Sequence, residues 1–186
     1  MAVVDRQQGG VLAELPGAPV RWLHEPEAEL VDVVGSKAAN LAVARRAGLP
    51  VIEGFAVTVA EVRANPAEMA VLVQQHVSPA LGGVLFGVDP VTGRADHVVI
   101  VAVRGGPHHL VSGEVEGRRT VLRRSGAVVT ADGDPDPVLT RRQRRRLLEL
   151  SARADDVFGR PQDVEWAIAG ERPLLLQSRP VTAVAE

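Results

Sequence analysis

DVEWAIAGERPLLLQSRP, residues 163–180, has the pattern of a β-hairpin whose two arms flank a Gly-Glu-Arg loop. A three-residue loop over 170–172, closed by Ala169 opposite Pro173, would fix the register of the two strands. Because strand side chains alternate between faces, this register predicts one apolar face and one polar face. The apolar face is predicted to pair Ile168 with Leu174 and Trp166 with Leu176.

The polar face of the same hairpin brings four polar side chains together. In the predicted register Glu165 lies opposite Gln177, and Asp163 lies opposite Arg179. Mg²⁺ takes one or two protein oxygens and fills its shell with phosphate oxygens and water, while an arginine offers a bidentate fork to phosphate. The pattern therefore predicts a metal and phosphate site, but a cross-strand ion pair beside a solvated amide explains the same four residues.

The composition excludes several classes of protein. The chain has 186 residues, of which 46% are hydrophobic and 24% charged, so it can bury a core as one domain or as two small lobes. A net charge of -2 argues against a nucleic-acid or membrane-surface protein. Cysteine is absent, which excludes disulfides, thiolate metal sites and cysteine nucleophiles. The apolar runs are strand-sized, so a cytoplasmic protein is expected.

The first third of the chain predicts a loose leader followed by a helix and a strand. Residues 1–20 are rich in Gly, Pro and Gln and show no sustained periodicity. Residues 37–47 predict a helix with Ser36 as N-cap and Gly48 as the C-terminal stop. An extended segment follows and ends in a strand over 55–59.

The rest of the chain predicts a mostly antiparallel sheet with one covering helix. Thr140 and Gln143 form a capping box that starts a long amphipathic helix, and Gly159 ends it. The expected fold class is therefore α+β. Besides the terminal hairpin, strands are expected over 70–77 paired with 83–88, over 98–103, and over 119–124 paired with 127–130.

Five stretches, in order, resemble the N-terminal nucleotide-binding domain of the phosphoenolpyruvate synthase, pyruvate phosphate dikinase and rifampin phosphotransferase family. Their order over residues 30–182 makes the resemblance specific. The stretches are GSKAANL at 35–41 with GLP at 48–50 and GFAVT at 54–58; MAVLVQ at 69–74; GVLFGVDPVTG at 83–93; LVSGE at 110–114; and GRPQDVEW at 159–166 with LQSRP at 176–180.

The resemblance implies a reduced ATP-grasp-like domain, in which two α+β lobes hold ATP and Mg²⁺ between them. In this family the residue matching Lys37 contacts the phosphates, and the residue matching Gln74 lies at the adenine edge. The residues matching Glu165 and Gln177 hold Mg²⁺, and the residue matching Arg179 binds phosphate. Lys37 and Arg179 are thus the candidate catalytic residues. The implied organisation is a leader at 1–20, a shortened first lobe at 21–66 and a second lobe at 67–186.

Lys37 also has a physical reason to bind phosphate that does not depend on the resemblance. A helix N-terminus presents unpaired N–H groups and the positive end of the helix dipole, and a lysine adds a point charge. A lysine in the first turn of a helix is equally consistent with an ordinary surface residue.

The chain departs from the family pattern where the transferring phosphates are held. Between Thr58 and Met69 it has ten residues where the family has a long stretch that includes an Arg-Ser-Ser-Ala loop. Ser36 replaces a glycine, Gly87 replaces a threonine, and Gly-Gly-Pro-His at 105–108 replaces Gly-Leu-Gly-Glu. Groups that neutralise charge around the γ-phosphate lower the barrier to transfer. These departures therefore favour nucleotide binding over efficient transfer.

Two further clusters are not expected to carry the chemistry. His108 and His109 lack the spacing of the family's phosphocarrier histidine, so a phosphohistidine is not expected on this chain. Five arginines at the start of the long helix favour a solvated outer face over a nucleic-acid site, and a partner surface stays open as an alternative. These are Arg141, Arg142, Arg144, Arg145 and Arg146.

Three classes of function are consistent with the sequence. The first is an ATP- and Mg²⁺-binding subunit of a split phosphotransferase of kinase or dikinase type, which acts with a partner chain carrying the phosphohistidine and substrate domains. The second is a degenerate domain with a regulatory or scaffolding role, and the third is a small stand-alone ATP-dependent enzyme. The joint presence of Glu165, Gln177 and Arg179 favours a nucleotide- or metal-binding class over a pure scaffold. Neither nucleic acid nor a membrane is an expected partner.

Overall fold

The computed structural model describes residues 3–4, 20–58, 70–133, 136, 139–170 and 172–182. The chain divides into two compact units, 1–77 and 78–186. The described strands are β1 (Val3–Val4), β2 (Val20–Trp22), β3 (Gly54–Val57), β4 (Val71–Gln75), β5 (Leu81–Phe86), β6 (His97–Arg104), β7 (Arg118–Arg123), β8 (Val128–Gly133), β9 (Gln162–Ala169) and β10 (Arg172–Pro180). The helices are α1 (Val31–Arg46), α2 (His108–Val111) and α3 (Arg141–Phe158), with a 3-10 turn over Pro26–Glu29.

The first unit contains a four-stranded sheet in the order β1-β4-β3-β2. β3 pairs antiparallel with β2 and β4, whereas β1 runs parallel to β4. α1 contacts β3 and β4. The small apolar residues of α1 allow this close approach, since its buried residues are Val34, Ala38, Ala39, Leu41, Ala42 and Ala44.

α1 joins two helical segments at a kink at Gly35, and the predicted helix over 37–47 corresponds to the second segment. Gly35 has φ 77° and ψ 160°, a conformation that glycine adopts at little cost because it has no Cβ atom. The residue with non-helical φ and ψ before the second segment is Gly35, so the prediction of Ser36 as N-cap is wrong. Lys37 lies in the first turn after Gly35, and the helix ends shortly before Gly48, as predicted.

β4 belongs to the first sheet, so the predicted antiparallel pair of 70–77 with 83–88 is wrong. β4 pairs with β3, whereas β5 pairs with β6 and β9. Apolar alternation indicates a buried face but does not identify the neighbouring strand, and both partners fit the same pattern. The first unit accordingly extends to Val77, past the lobe limit expected at residue 66.

The predicted loose leader contains a short strand. Val3 and Val4 lie beside Gln74 and Gln75 of β4 in a parallel pair. The other residues of the leader before Val20 lie outside the described residues, as do 59–69, where the shortened connection was predicted.

The second unit contains a six-stranded sheet in the order β10-β9-β5-β6-β7-β8, and its described pairs are all antiparallel. α3 packs against β5, β9 and β10. We define as the core face the side of this sheet on which five large apolar residues lie, each at most 1% exposed. These are Leu85, Val164, Trp166, Ile168 and Leu175. The two units together confirm the α+β class.

α3 forms as predicted because both of its ends are specified locally. The N–H of Gln143 donates to Thr140 Oγ1 at 3.2 Å, and the N–H of Thr140 donates to Gln143 Oε1 at 2.8 Å, which completes the capping box. Gly159 ends the helix with φ 68°. Within the described ranges, no helix is both long and apolar enough to cross a bilayer.

Candidate functional site

The loop of the terminal hairpin is one residue shorter than the sequence predicted. Ala169 pairs with Arg172 rather than with Pro173, and Gly170 has φ 72°. A tight hairpin turn requires such a positive φ, which glycine supplies. The predicted apolar pairs are therefore wrong, since Ile168 lies opposite Pro173 and Trp166 lies opposite Leu175.

A β-bulge in β10 restores the predicted register where the polar residues lie. The register shifts between Leu175 and Gln177, with Leu176 as the additional residue. Without a bulge, Leu175 and Gln177 would share one face of the strand. The bulge instead leaves Leu175 buried opposite Trp166 and turns Gln177 to the face of Glu165. It therefore assembles the polar pair without exposing the core.

Asp163 and Arg179 form the second predicted cross-strand pair. Arg179 Nε and Nη2 each lie 2.8 Å from Asp163 Oδ2. The Asp163 side chain is 9% exposed, and that of Arg179 is 66% exposed. Because both contacts use the same carboxylate oxygen, the other N–H groups of the guanidinium keep their capacity for an anion. Asp163 thus orients Arg179 and leaves it able to bind phosphate.

Glu165 and Gln177 belong to a row of paired positions that crosses the whole second sheet. We call the side of the sheet opposite the core face the site face, and these paired positions the cross-strand row. Directly paired residues of neighbouring strands point to the same side of a sheet, so all residues of the cross-strand row lie on the site face. In order from β10 to β8 the row is Gln177, Glu165, Val84, Val101, Arg119 and Asp132.

The donor set at one end of this row fits Mg²⁺. Glu165 offers a carboxylate and Gln177 an amide oxygen, and both residues are half-buried. Among the described residues, no group of three or more His, Cys, Asp or Glu side chains is arranged to hold a metal ion. A metal ion at Glu165 therefore requires further oxygens from phosphate and water, which is the coordination that Mg²⁺ adopts in nucleotide sites.

The other two predicted site residues, Lys37 and Gln74, lie in the first unit. Lys37 is exposed on α1. Gln74 lies opposite Gly54 of β3, and a Cβ atom at Gly54 would meet Gln74 Cγ at 3.0 Å. The Nε2 atom of Gln74 is buried and has no hydrogen-bond partner among the described residues. A buried amide in this state retains a donor for a ligand.

The Asp-Pro-Val-Thr-Gly turn after β5 is held by a buried carboxylate. Asp89 Oδ1 accepts the N–H groups of Val91 at 3.0 Å and of Thr92 at 3.4 Å. Burial alone would raise the pKa of Asp89, but these hydrogen bonds and the positive charge of Arg119 outweigh it, so the pKa is lowered. Asp89 is therefore an anion that the turn itself stabilises, and it also lies 3.8 Å from Arg119 Nη2.

Gly87 stands where the family pattern has threonine, and Asp155 occupies the space of the missing side chain. A Cβ atom at Gly87 would lie 2.5 Å from Asp155 Oδ1 and 2.8 Å from Oδ2. The N–H of Gln162 donates to Oδ1 at 2.9 Å, and Arg124 Nη2 donates both to Oδ2 at 3.1 Å and to the Gly87 carbonyl. Burial raises the pKa of Asp155, while the Gln162 and Arg124 contacts oppose that change.

Restoring a side chain at Gly87 is expected to destabilise the second unit. In Gly87→Thr the new Cβ displaces the Asp155 carboxylate from its contact with Gln162, so we expect a loss of about 1–3 kcal/mol in the free energy of unfolding. Urea denaturation followed by circular dichroism measures the change. The double variant Gly87→Thr with Asp155→Ala provides the control, because it vacates the space. Coupling of the two positions predicts that the double variant loses less stability than the two single variants lose in sum. A loss equal to that sum, or greater, refutes the coupling.

The LVSGE stretch carries an exposed polar cluster. His109 Nδ1 lies 2.7 Å from Glu114 Oε2, and Ser112 Oγ donates to Glu114 Oε1 at 2.7 Å. The rings of His108 and His109 are 3.9 Å apart between centroids. These contacts all lie within α2 and the residues directly after it, and the absence of a phosphohistidine here stays a prediction.

Comparison with known proteins confirms the resemblance found in the sequence. Residues 61–133 match the family model described as pyruvate phosphate dikinase, AMP/ATP-binding domain. The chain is similar to a rifampicin phosphotransferase of Streptomyces sviceus, with 34% identity over 62% of this chain and 16% of the relative. It is also similar to a probable phosphoenolpyruvate synthase of Archaeoglobus fulgidus, with 31% identity over 66% of this chain and 19% of the relative.

A third relative is named for a different activity. The prodigiosin synthesizing transferase PigC of Serratia marcescens is 31% identical over 66% of this chain and 17% of the relative. The chain thus spans less than a fifth of the length of these three curated relatives.

Proposed function

We propose that this chain, as an ATP-binding domain of the phosphoenolpyruvate synthase and pyruvate phosphate dikinase type, binds ATP together with Mg²⁺. It acts in phosphotransfer only with a partner chain that carries the phosphohistidine and substrate domains. On its own it is the nucleotide-binding part of a phosphotransferase of kinase or dikinase type. We assign this function to the cytoplasm, where ATP is available.

The observation that carries the proposal is the bulged hairpin. A bulge at Leu176 turns Gln177 toward Glu165, while the Asp163 carboxylate orients Arg179 on the same face. A regular hairpin with a two-residue loop would bury the Gln177 amide in the core face. The bulge interrupts the hydrogen-bond ladder between β9 and β10, and we attribute this local loss to the metal and phosphate binding that the bulge makes possible.

Each candidate residue has a distinct part in this proposal. Glu165 and Gln177 hold Mg²⁺, whose chemistry when bound is to neutralise phosphate oxygens. Arg179 binds phosphate through the N–H groups that Asp163 leaves uncommitted. Lys37 adds a second cation beside a helix bend, and the buried amide of Gln74 donates to the nucleobase.

Calorimetric titration of the full chain with ATP tests the binding function. We expect binding with Mg²⁺ present and affinity at least about 100-fold weaker in EDTA, because the carboxylate of Glu165 then faces phosphate without a cation between them. With Mg²⁺ present, Lys37→Ala is expected to bind ATP about tenfold more weakly than the wild type, the usual loss for a charge-assisted contact. An absence of heat with ATP, both with and without Mg²⁺, would refute the proposal.

A second candidate function is a nucleotide-binding module without catalysis. The observation that favours it is the Asp155 carboxylate in the space beside Gly87, where the family pattern places a threonine. Incubation with labelled ATP and a candidate partner chain separates the two functions. Acid-labile, base-stable phosphate on the partner supports phosphotransfer, and ATP binding without such phosphate supports the non-catalytic module.

A further inference from the structure

The cross-strand row leads from the proposed metal ligand to a second cation. From Glu165 it passes Val84 and Val101 and reaches Arg119 on β7. Neighbouring strands lie about 4.8 Å apart, so three steps separate the backbone positions of Glu165 and Arg119 by about 14 Å. Paired positions point to the same side, and Arg119 therefore stands at the far part of the site face.

Arg119 is not committed to a strong ion pair. Its Nη1 lies 3.5 Å from Asp132 Oδ2, and its Nη2 lies 3.8 Å from Asp89 Oδ1. Arg179, in contrast, approaches Asp163 to 2.8 Å through two nitrogens. Asp89 also accepts two N–H groups of its own turn, so the guanidinium is one of several groups that stabilise its charge. With five N–H donors and a side chain that is 31% exposed, Arg119 keeps the capacity to bind another anion.

The residues between the two charged groups are apolar. Val84 and Val101 are both half-buried and form the middle of the row. An apolar surface lowers the effective dielectric beside it, which strengthens the attraction between Arg119 and an anion. A single ion reaches only one part of a row of this length. An elongated polyanion with a metal at one end fits the order of the groups, which has the carboxylate of Glu165 on one side and the guanidinium of Arg119 on the other.

We propose that Arg119 binds a phosphate group of the nucleotide, so that the polyphosphate lies along the cross-strand row from Glu165 toward β7. This inference rests on the proposed function, because Mg²⁺ and ATP must bind at Glu165 first. Arg119 lies on β7, well before the terminal hairpin in the chain. It supplies a cation on the same sheet that holds the metal ligands.

Titration of Arg119→Gln with ATP, ADP and AMP in the presence of Mg²⁺ tests this inference. We expect ATP affinity to fall about tenfold or more, the loss for a charge-assisted hydrogen bond, with a smaller loss for ADP. AMP affinity is expected to change less than about twofold, since AMP has no terminal phosphate to reach Arg119. Arg119→Lys keeps the charge but not the bidentate fork, and is expected to be intermediate.

Arg118→Gln is the matched control, because Arg118 is the neighbouring arginine on β7 and alternation places it on the other face. It is expected to bind all three nucleotides as the wild type does. Unchanged ATP affinity of Arg119→Gln, with Mg²⁺-dependent ATP binding lost in Glu165→Ala, overturns the Arg119 inference and leaves the proposed function standing. An equal loss for ATP, ADP and AMP also overturns it. Failure of the wild type to bind ATP overturns both.

Discussion

Glu165→Ala is expected to abolish the magnesium-dependent part of ATP binding and to weaken the affinity for ATP and Mg²⁺ by at least about 100-fold. Loss of a group that merely supports a metal ligand costs 10–100-fold in metal affinity, and Glu165 is proposed to bind the metal directly. The remaining amide of Gln177 carries no charge to replace it. Calorimetric titration with ATP, at saturating Mg²⁺ and in EDTA, measures the effect.

Two further variants separate a lost ligand from a lost fold. Glu165→Gln keeps the size of the side chain but replaces one carboxylate oxygen with an NH₂ donor and removes the charge, so it is expected to lose most of the magnesium dependence as well. Glu149→Gln removes an exposed carboxylate that pairs with Arg145 on α3, and is expected to bind as the wild type does. ATP affinity of Glu165→Ala within about twofold of the wild type would contradict a metal site at this position.

Trp166→Ala is expected to lower the free energy of unfolding by about 3–5 kcal/mol, the usual cost of removing a large buried aromatic ring. Trp166 is fully buried on the core face opposite Gly83, where a Cβ atom would lie 2.8 Å from its Cζ2 atom. The indole therefore fills a space that no neighbouring residue can close without moving the strands. Urea denaturation followed by circular dichroism measures the loss.

Trp166→Phe is the matched control for the same position. Phenylalanine keeps an aromatic ring in the core and removes the indole Nε1, which is buried and has no hydrogen-bond partner among the described residues. The variant is therefore expected to lose less than half as much stability as Trp166→Ala, because no satisfied hydrogen bond is broken. A loss below about 1 kcal/mol in Trp166→Ala would show that the ring does not hold the sheet together.

The terminal hairpin shows how far local sequence rules reach. Alternation and the match of Glu165 with Gln177 were predictable, although the three-residue loop that gave this register is one residue longer than the observed loop. The bulge at Leu176 was not, because a shorter loop and an additional strand residue compensate each other in the same sequence. The polar pairs were thus predicted correctly while the apolar pairs were wrong by one residue.

Contacts between distant segments could not be predicted from the pattern alone. β4 has the alternation of a half-buried strand, but only the three-dimensional arrangement selects β3 as its partner over β5. The space beside Gly87 is filled by Asp155, which lies 68 residues later in the chain. Arg119 lies on the site face because β9 pairs with β5, β5 with β6 and β6 with β7. No local motif encodes any of these three pairings.

Replacement of Mg²⁺ by Mn²⁺ in the ATP complex tests most directly whether the terminal hairpin holds the metal. Mn²⁺ is paramagnetic and broadens the NMR signals of nearby amides. We expect the backbone amide signals of 163–167 and 175–179 to broaden first, and this selective broadening to disappear in Glu165→Gln. Sharp hairpin signals in a sample that binds ATP and Mn²⁺, with broadening elsewhere in the chain, would contradict a metal site at Glu165 and Gln177.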